Sequence, residues 1–213
     1  MPATLYYAPS TAALVVHWLL IELDVPHRLH LLDFDRREQK SPEYLRLNPA
    51  GVVPTLVLED GHVLTEAAAI AMHLADAYPQ AQLAPAPGSE ARADYYRWMC
   101  FCANTLQPAY RAWFYPDEPA GAANAEASAG QARRRLETAW QQVADHLEAA
   151  GGPYLLGERI SVADFMLTML MRWSRNMPRP TDDWPALNAH AARMKARPAF
   201  KETYRREGIS DWA

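Results

Sequence analysis

The segment from Asn48 to Asp76 carries the residues whose types and order could bind a ligand. Its pattern indicates a loop, two short strands joined by a tight turn, and a helix. Pro54 falls at the start of the first strand, where a proline leaves the backbone N–H and C=O of Val53 without a sheet partner. Thr65 is the predicted N-cap of the helix, with Glu66 in its first turn, and a helix N-terminus attracts anions. Together these features predict a site for an extended, peptide-like ligand that carries a carboxylate.

The same residues also allow a structure without a ligand. The two strands could form a buried hairpin packed on the helix, and Glu66 would then only offset the positive end of the helix dipole. The local pattern does not separate these two interpretations, so both stay open until the rest of the chain is considered.

Strands and helices alternate in the part of the chain that would position this segment. A strand is predicted at Thr4–Tyr7, a mostly buried helix at Ala12–Leu23, and a second strand at His27–Asp33. A short helix begins at Pro42, a residue that is favoured at the first helical position. The order β-α-β-α-β-β-α over residues 1–78 is a thioredoxin-like arrangement, in which the first two strands run parallel through a crossover helix.

Beyond Tyr78, strand patterns nearly disappear and helical patterns replace them. Residues 79–89 hold three prolines and a glycine, which is typical of a linker. A capping box of Ser161 and Asp164 marks one of the later helices. The predicted helices are 90–112, 130–150, 161 to about 175, 184–197 and a shorter one from Pro198, with a loop at 115–129. We therefore expect one domain at 1–80, a linker at 81–89 and an all-helical domain at 90–213.

The composition argues against several classes of protein. The chain of 213 residues is half hydrophobic and has a net charge of −4, whereas nucleic-acid-binding domains usually present a basic face. It has no apolar run of about 18 residues that could span a membrane. Its first residues lack a signal-peptide pattern and it has only two cysteines, so we expect a cytoplasmic protein without disulfides.

Other potentially reactive side chains are interpreted as structural. His17 lies on an apolar helix and is expected to be a core histidine rather than a ligand. Cys100 and Cys102 cannot share one helix face at a spacing of two, so we expect them to be packing residues. No metal site is expected, because the seven histidines show no HxxxH or Cys/His spacing.

The segment NPAGVVPTLVLEDGHVLTEAAAI resembles the glutathione-binding segment of the glutathione S-transferase family. The resemblance implies that Pro54 follows a cis peptide bond and that the backbone of Val53 pairs with the cysteinyl part of glutathione. It also implies that Glu66 and Ala67, at the start of the next helix, hold the γ-glutamyl end. Two later stretches, LLGERISVADFMLTMLMRW and WPALNAHAARMKARPAF, resemble helices of the same family. The implied fold is an α/β thioredoxin-like N-terminal domain followed by an all-α C-terminal domain.

The resemblance further implies a donor near the glutathione sulfur, just after the first strand. A free thiol has a pKa of about 8.5, and a hydroxyl donor together with a helix N-terminus stabilises the reactive thiolate. Thr11 stands where delta- and theta-like members carry a serine, Ser10 is its neighbour, and Tyr7 matches a tyrosine often found on the first strand. Thr11 is the preferred donor and Ser10 the alternative, while a simple capping role stays open for both. Ala12 replaces the beta-class cysteine, which excludes mixed-disulfide chemistry at that position.

Other site residues are assigned by the same resemblance. Gln107 stands where the beta class has a histidine that faces glutathione, and a glutamine can hydrogen-bond but cannot titrate near neutrality. Lys40 is the preferred cation for the glycyl carboxylate, with Arg36 and Arg37 as alternatives in a charged loop. The second-substrate pocket is expected to be apolar, to lie between the domains, and to be lined by Gln107, Tyr110, Trp113 and Phe114. Core or dimer packing is the alternative role for these aromatic residues.

The leading hypothesis is a glutathione S-transferase that takes glutathione as co-substrate and stabilises its thiolate for attack on a small hydrophobic electrophile, as in detoxification. A homodimer is expected, because the family forms homodimers. Since Ala12 and Gln107 replace two beta-class residues, the alternative is a binding or protein-interaction protein with this fold and little catalysis. Peroxidase or isomerase activity is also permitted, and the sequence does not identify the electrophile.

Overall fold

A computed structural model describes residues 2–213, and within them the strands form one four-stranded sheet. The strands are β1 (Ala3–Tyr7), β2 (His27–Leu31), β3 (Thr55–Val57) and β4 (Val63–Thr65), in the order β2-β1-β3-β4. β1 and β2 are parallel, whereas β3 is antiparallel to both β1 and β4. Leu5 and Leu56 pair across β1 and β3 and are fully buried, so the core of the sheet lies at its centre. This arrangement confirms the predicted thioredoxin-like order.

Four α-helices accompany the sheet in the first of two compact units, which comprises the residues up to Ala84 together with Lys195–Ala213. They are α1 (Ala13–Glu22), α2 (Pro42–Leu47), α3 (Ala67–Ala77) and α10 (Pro198–Glu207). α1 is apolar on all sides, and its residues from Ala13 to Leu20 are all buried, which is typical of a helix inside a core. The Ser41 hydroxyl caps α2 by accepting a hydrogen bond from the Tyr44 N–H at 3.2 Å.

The second unit, Pro85–Met194, is helical. Its helices are α4 (Glu90–Phe101), α5 (Gln107–Phe114), α6 (Asp117–Ala120), α7 (Ala125–Ala149), α8 (Val162–Trp173) and α9 (Pro185–Lys195). A π-helical turn, Cys102–Leu106, joins α4 to α5. Short 3-10 turns in the chain lie at Glu38–Lys40, Pro79–Ala81, Ala122–Asn124 and Thr181–Asp183. Among the described helices, none has the length and apolar character needed to cross a membrane.

The capping box predicted for α8 is confirmed. The Ser161 N–H donates to Asp164 Oδ2 at 2.8 Å. The other carboxylate oxygen, Oδ1, accepts from the Leu155 N–H at 2.9 Å and from His190 Nε2 at 3.1 Å. A fully buried carboxylate is tolerated here because hydrogen bonds from three segments of the chain replace its hydration.

Several boundaries differ from those expected from the sequence: a π-helical turn divides the predicted helix 90–112, α6 lies in the predicted loop 115–129, and the first unit extends to Ala84. α7 begins at Ala125 rather than at residue 130, because the alanines in this stretch are strong helix formers despite the neighbouring prolines and glycines. The chain after α9 also does not group with the helical unit. The Phe200 ring of α10 packs edge-on against Trp18 of α1 with centroids 5.0 Å apart, so Lys195–Ala213 belongs to the first unit.

Candidate functional site

The strand register brings three separate parts of the candidate site to one edge of the sheet. Tyr6 of β1 pairs with Thr55 of β3, and Thr55 pairs in turn with Thr65 of β4. The next positions in this register are Tyr7, Pro54 and Glu66. Neighbouring strands lie about 4.8 Å apart, so the turn after β1, the start of β3 and the start of α3 converge on the same edge.

The peptide bond between Val53 and Pro54 is cis, as the resemblance implied. Pro54 is buried, whereas Val53 is half-buried and lies just outside β3. Within residues 2–213, the N–H and C=O of Val53 make no hydrogen bond. They are available to pair with an extended ligand, which is the property predicted from the position of Pro54.

Tyr44 of α2 and Asn48 at its C-terminal end hold the chain on both sides of Val53. The Tyr44 hydroxyl donates to the Val52 carbonyl at 2.6 Å, and the Asn48 amide donates to the same oxygen at 2.8 Å. The Asn48 amide also reaches Thr55 Oγ1 at 3.2 Å, and that hydroxyl lies 2.8 Å from the Tyr44 hydroxyl. Since the single phenolic proton of Tyr44 is directed to Val52, Thr55 donates to Tyr44.

The sequence analysis missed this pair, which we call the Tyr44–Asn48 brace. Both side chains are only 3% exposed, although both are polar. Their spacing of four residues places them on one face of a short helix, and this was the signal available in the sequence. A buried tyrosine and a buried asparagine on one face indicate backbone groups that need partners nearby.

Lys40 lies beside this segment. Its Nζ donates to the Ala50 carbonyl at 3.0 Å, and the side chain is otherwise exposed. The Lys40 side chain can lie here because residue 51 is a glycine, since a Cβ on Gly51 would be only 2.7 Å from the Lys40 Nζ. The φ of +61° at Gly51 also favours glycine. An ammonium group has three donors, so two remain for a ligand carboxylate. Arg36 instead pairs with Asp33 at 3.5 Å.

Glu66, rather than Thr65, is the N-cap of α3, so the predicted cap was wrong by one residue. Thr65 pairs with Thr55 of β3 and is therefore the last residue of β4. Glu66 has a φ of +67°, a left-handed conformation that is uncommon for a residue other than glycine, and it is exposed. Ala67 begins the helix, and the first turn contains no acidic residue. The N–H groups at this helix start can therefore bind an anionic group.

Thr11 and Ser10 lie in the turn between β1 and α1. The Thr11 hydroxyl donates to the Ala8 carbonyl at 2.6 Å and accepts from the Ala13 N–H at 3.3 Å. Ala12 rather than Thr11 is the N-cap of α1, and no side chain caps this helix. The two bonds of Thr11 therefore lie within the turn before the helix and direct the hydroxyl proton into it. Ser10 has a φ of +65°, and the first turn of α1 contains no acidic residue to offset the helix dipole.

Tyr7 lies in the core of the first unit. It is 8% exposed, and its ring centroid is 6.0 Å from that of His17 on α1. Burial raises the pKa of the Tyr7 hydroxyl, and the negative charge of Glu207 raises it further. The neutral phenol is therefore the favoured form, so Tyr7 is a poor source of a phenolate.

The residues expected to line a second-substrate pocket have different environments in the second unit. Tyr110 is fully buried, and the Trp140 indole N–H donates to its hydroxyl at 3.2 Å. Phe114 is 46% exposed, whereas Gln107 and Trp113 are half-buried. Tyr110 thus has the environment of a core residue, and the other three retain accessible surface.

The remaining reactive groups do not form a recognisable centre. Cys100 is exposed and Cys102 is buried, and neither is in a disulfide. Burial raises the pKa of the Cys102 thiol, and the charge of Asp164 adds to this effect. Within residues 2–213, no group of three or more His, Cys, Asp or Glu side chains is arranged to hold a metal ion.

Comparison with known proteins gives matches to both units. Residues 9–77 match the family model described as glutathione S-transferase, N-terminal domain. Residues 103–205 match the model described as glutathione S-transferase, C-terminal domain. The first match contains Val53, Pro54 and Glu66, the residues that converge on the sheet edge.

Two curated bacterial proteins are similar along nearly the whole chain. Glutathione S-transferase GST-4.5 of Xanthomonas campestris pv. campestris is 33% identical over 210 residues, which cover 97% of this chain and 99% of that protein. Glutathione S-transferase GstA of Escherichia coli O157:H7 is 30% identical over 206 residues, with 96% and 98% covered. A glutathione transferase homologue from Sulfitobacter, solved with bound glutathione, superposes with a TM-score of 0.88 at 29% identity, covering 98% of this chain and 99% of that chain.

Proposed function

Since the chain belongs to the glutathione S-transferase family, we propose that it joins the thiolate of bound glutathione to a small hydrophobic electrophile. Transferase activity and glutathione as co-substrate follow from the family and its glutathione-bound member. The choice of electrophile and the roles of individual residues are the proposed part.

The unpaired backbone of Val53 is the observation that carries the proposal. Glutathione is a tripeptide, and the N–H and C=O of its cysteinyl residue can form hydrogen bonds with the C=O and N–H of Val53. This is the pattern of two paired residues in neighbouring antiparallel strands. Because the Tyr44–Asn48 brace holds Val52 and Thr55, the pairing groups are already ordered before the ligand binds. Such preorganisation reduces the entropy lost on binding, and it fixes where the glutathione sulfur lies.

The charged groups around Val53 complement the two ends of glutathione. The γ-glutamyl end carries an ammonium and a carboxylate, which match the Glu66 carboxylate and the N–H groups at the start of α3 from Ala67 onward. The glycyl end carries a second carboxylate, and Lys40 has two donors that the Ala50 carbonyl does not use.

We assign the stabilisation of the thiolate to the N-terminus of α1, assisted by the hydroxyl of Thr11 or Ser10. The positive end of the helix dipole lowers the pKa of a nearby thiol. Thr11 can donate to sulfur only after its O–H bond rotates away from the Ala8 carbonyl, so the Thr11 contribution requires that this hydrogen bond be broken. The thiolate then forms a bond to the electrophilic carbon, and a leaving group departs with the electrons of the broken bond.

The remaining parts of the proposal concern the residues that contact the electrophile, the oligomeric state, the location in the cell and the biological role. Gln107, Trp113 and Phe114 offer partly exposed polar and apolar surface, and we propose them as contacts of the electrophile. A cytoplasmic homodimer with a role in detoxification follows the family pattern.

The pKa of the glutathione thiol in the complex tests this function. Thiolate absorbance would be measured against pH for the wild type, Thr11→Ala and Ser10→Gly, since glycine accepts the φ of +65° at that position. We expect a thiol pKa below its free value of about 8.5 in the wild type and a return towards that value in one hydroxyl variant. A depressed pKa that survives in both variants would assign the effect to α1. An unshifted thiol pKa with glutathione bound would contradict the proposal and indicate a binding protein with little catalysis.

A further inference from the structure

A cavity in the first unit lies at the edge of the sheet opposite to the candidate site. It has a volume of about 310 Å³ and is lined by the start of β1, the end of β3 and the C-terminal ends of α1 and α3. Pro54 and Leu58 stand on either side of β3, and four extended residues span roughly 13 Å. We call this space the α3 cavity. A ligand in it would lie well away from glutathione that pairs with Val53.

The interior of the α3 cavity is apolar. The side chains that make it so are Ala3, Leu20, Val25, Leu56, Leu58 and Leu74, of which all but Leu58 are buried. A hydrocarbon group that enters such a space leaves water and contacts apolar side chains, which is favourable. Ligand pockets typically have volumes of about 300–1,000 Å³, so this one suits a small molecule rather than a peptide.

The mouth of the α3 cavity is acidic. Glu59 and Asp60 lie there and are exposed, and none of the described residues that line the cavity is a lysine or an arginine. Asp60 has a structural role, since its Oδ1 accepts a hydrogen bond from the His62 N–H at 2.9 Å in the turn between β3 and β4. Within residues 2–213, the Glu59 side chain forms no ion pair and no hydrogen bond. Its carboxylate is therefore available to a cation from solution.

The end of α3 gives a second, independent preference for positive charge. Ala77 and Tyr78, where this helix ends, are part of the cavity lining. The last turn of α3 contains no basic residue, and the Ala75 carbonyl lacks its helical donor because Pro79, four residues later, has no N–H. Carbonyl groups at a helix C-terminus carry a partial negative charge that attracts cations. His73, which is exposed at the mouth, offers an acceptor nitrogen when it is neutral.

Apolar walls and an acidic mouth together match a ligand that is hydrocarbon at one end and cationic at the other. We propose that the α3 cavity binds a small hydrophobic amine, with its hydrocarbon body on the apolar lining and its ammonium group beside Glu59. An anionic ligand is disfavoured, because Glu59 and Asp60 would repel it. A metal ion is also disfavoured, because in the described part of the chain no three His, Cys, Asp or Glu side chains are arranged to hold one.

Calorimetric titration of the full chain with phenethylamine, and separately with hexylamine, tests this inference. At about pH 8 both amines are protonated, as a lysine side chain with its pKa of about 10.4 is. Three further compounds each change one property of the probe: phenylethanol has no charge, phenylpropionate has the opposite charge, and methylamine has no hydrocarbon body. Saturating glutathione is present throughout, so that the candidate site at the other edge of the sheet is filled.

Two variants alter the α3 cavity. Glu59→Gln removes the carboxylate and retains the shape of the side chain, whereas Ala77→Phe adds a ring to the lining. Both positions are exposed, so folding should be retained. Glu43→Gln is the matched control, because Glu43 is an exposed carboxylate of the first unit that does not line the cavity. Conjugation of glutathione, measured in parallel, should be unchanged in all three variants.

We expect the wild type and Glu43→Gln to bind at least one of the two amines with the same affinity. Glu59→Gln should bind it about two- to five-fold more weakly, the effect of losing one exposed ion pair. Ala77→Phe should bind it at least about ten-fold more weakly, because the ring fills part of a small cavity. Phenylethanol, phenylpropionate and methylamine should all bind more weakly than phenethylamine.

Three results would overturn the proposal. The first is that neither amine binds to the wild type, and the second is that phenethylamine and phenylethanol bind with equal affinity, which would remove the role of the charge. The third is an amine affinity that is unchanged in both Glu59→Gln and Ala77→Phe, because the amine would then bind elsewhere on the chain. None of these results would bear on the transferase function, which the conjugation assay reports independently.

Discussion

His17 and Glu207, separated by 190 residues in sequence, are joined by a hydrogen bond of 2.8 Å between Nδ1 and Oε1. Both side chains are completely buried, and the bond connects α1 to α10 inside the first unit. His17 is thus the core histidine that the sequence indicated, although its partner could not be identified from local pattern.

Removal of one member of this pair should destabilise the protein strongly. Glu207→Ala leaves the His17 imidazole buried without its acceptor, and a buried polar group without its partner costs about 1–3 kcal/mol. The free energy of unfolding measured in urea would test this. Glu202→Ala is the matched control, because Glu202 is also on α10 but its partners, Arg205 and Arg206, are on the exposed face. Equal effects of the two substitutions would contradict the structural role of the buried pair.

The Tyr44–Asn48 brace should support both folding and glutathione affinity. Tyr44→Phe removes the hydroxyl that donates to the Val52 carbonyl and accepts from Thr55, and loss of such buried bonds costs about 1–3 kcal/mol. Since Val52 directly precedes Val53, the residue proposed to pair with glutathione, we also expect weaker glutathione binding. Calorimetry would show this as a higher dissociation constant. Tyr96→Phe, at a 45% exposed tyrosine, should change neither quantity. A stable Tyr44→Phe variant with normal glutathione affinity would show that the brace is dispensable.

Glu66 should show opposite effects on stability and binding. Its φ of +67° is strained for glutamate but not for glycine, so Glu66→Gly should stabilise the fold by about 1 kcal/mol. The same change removes the carboxylate proposed to pair with the glutathione ammonium, so affinity for glutathione should fall. Glu66→Gln retains the strain and removes only the charge. If thermal unfolding shows no gain for the glycine variant, the strain is relieved elsewhere; if glutathione affinity is unchanged in both variants, Glu66 does not contact the ligand.

His27 should make stability depend on pH. Burial lowers the pKa of its imidazole below the ordinary value of 6.5. The charges of His17 and Arg206 lower this pKa further, and the hydrogen bond from Nδ1 to the Val25 carbonyl only partly opposes the shift. Above about pH 6.5 the imidazole is neutral in both states, and its contribution to stability is complete. Below that pH the His27 imidazole binds a proton in the unfolded chain but stays neutral in the folded chain. The free energy of unfolding therefore falls with pH until the pH is below the lowered pKa of the folded state.

Urea unfolding of the wild type and His27→Gln from about pH 7.5 to about pH 5.5 would measure this contribution. The wild type should lose more stability than the variant as the pH falls through that range. His62→Gln, at an exposed turn residue, should follow the wild-type curve. Parallel curves for the wild type and His27→Gln would show that this histidine titrates alike in both states.

Signals that lie within a few residues predicted much of the fold and part of the site. Pro54 and the turn after it indicated both the hairpin and the unpaired backbone of Val53. Ser161 and Asp164 indicated the start of α8, because a capping box is a local arrangement of four residues. These predictions succeeded because the interactions that fix each feature connect neighbours in sequence.

The features that the sequence did not predict depend on distant partners or on competition between nearby ones. Thr65 looked like a cap, yet pairing with Thr55 keeps it in β4 and moves the cap to Glu66. The proton of Thr11 is directed to Ala8, which only the backbone of the folded turn determines. The Tyr44–Asn48 brace requires β3 to lie beside α2, and no local pattern contains that information.

The packing of α10 on α1 has a consequence for synthesis on the ribosome. The first unit is discontinuous, since Pro85–Met194 is inserted between its two parts. Translation proceeds at about 5–20 residues per second, so α1 and the sheet leave the ribosome many seconds before α10 exists. During that interval the buried surface around His17 and Trp18 has no cover from Glu207 and Phe200. The helical unit can complete its folding first, and a nascent chain halted before Pro198 would expose this surface to chaperones.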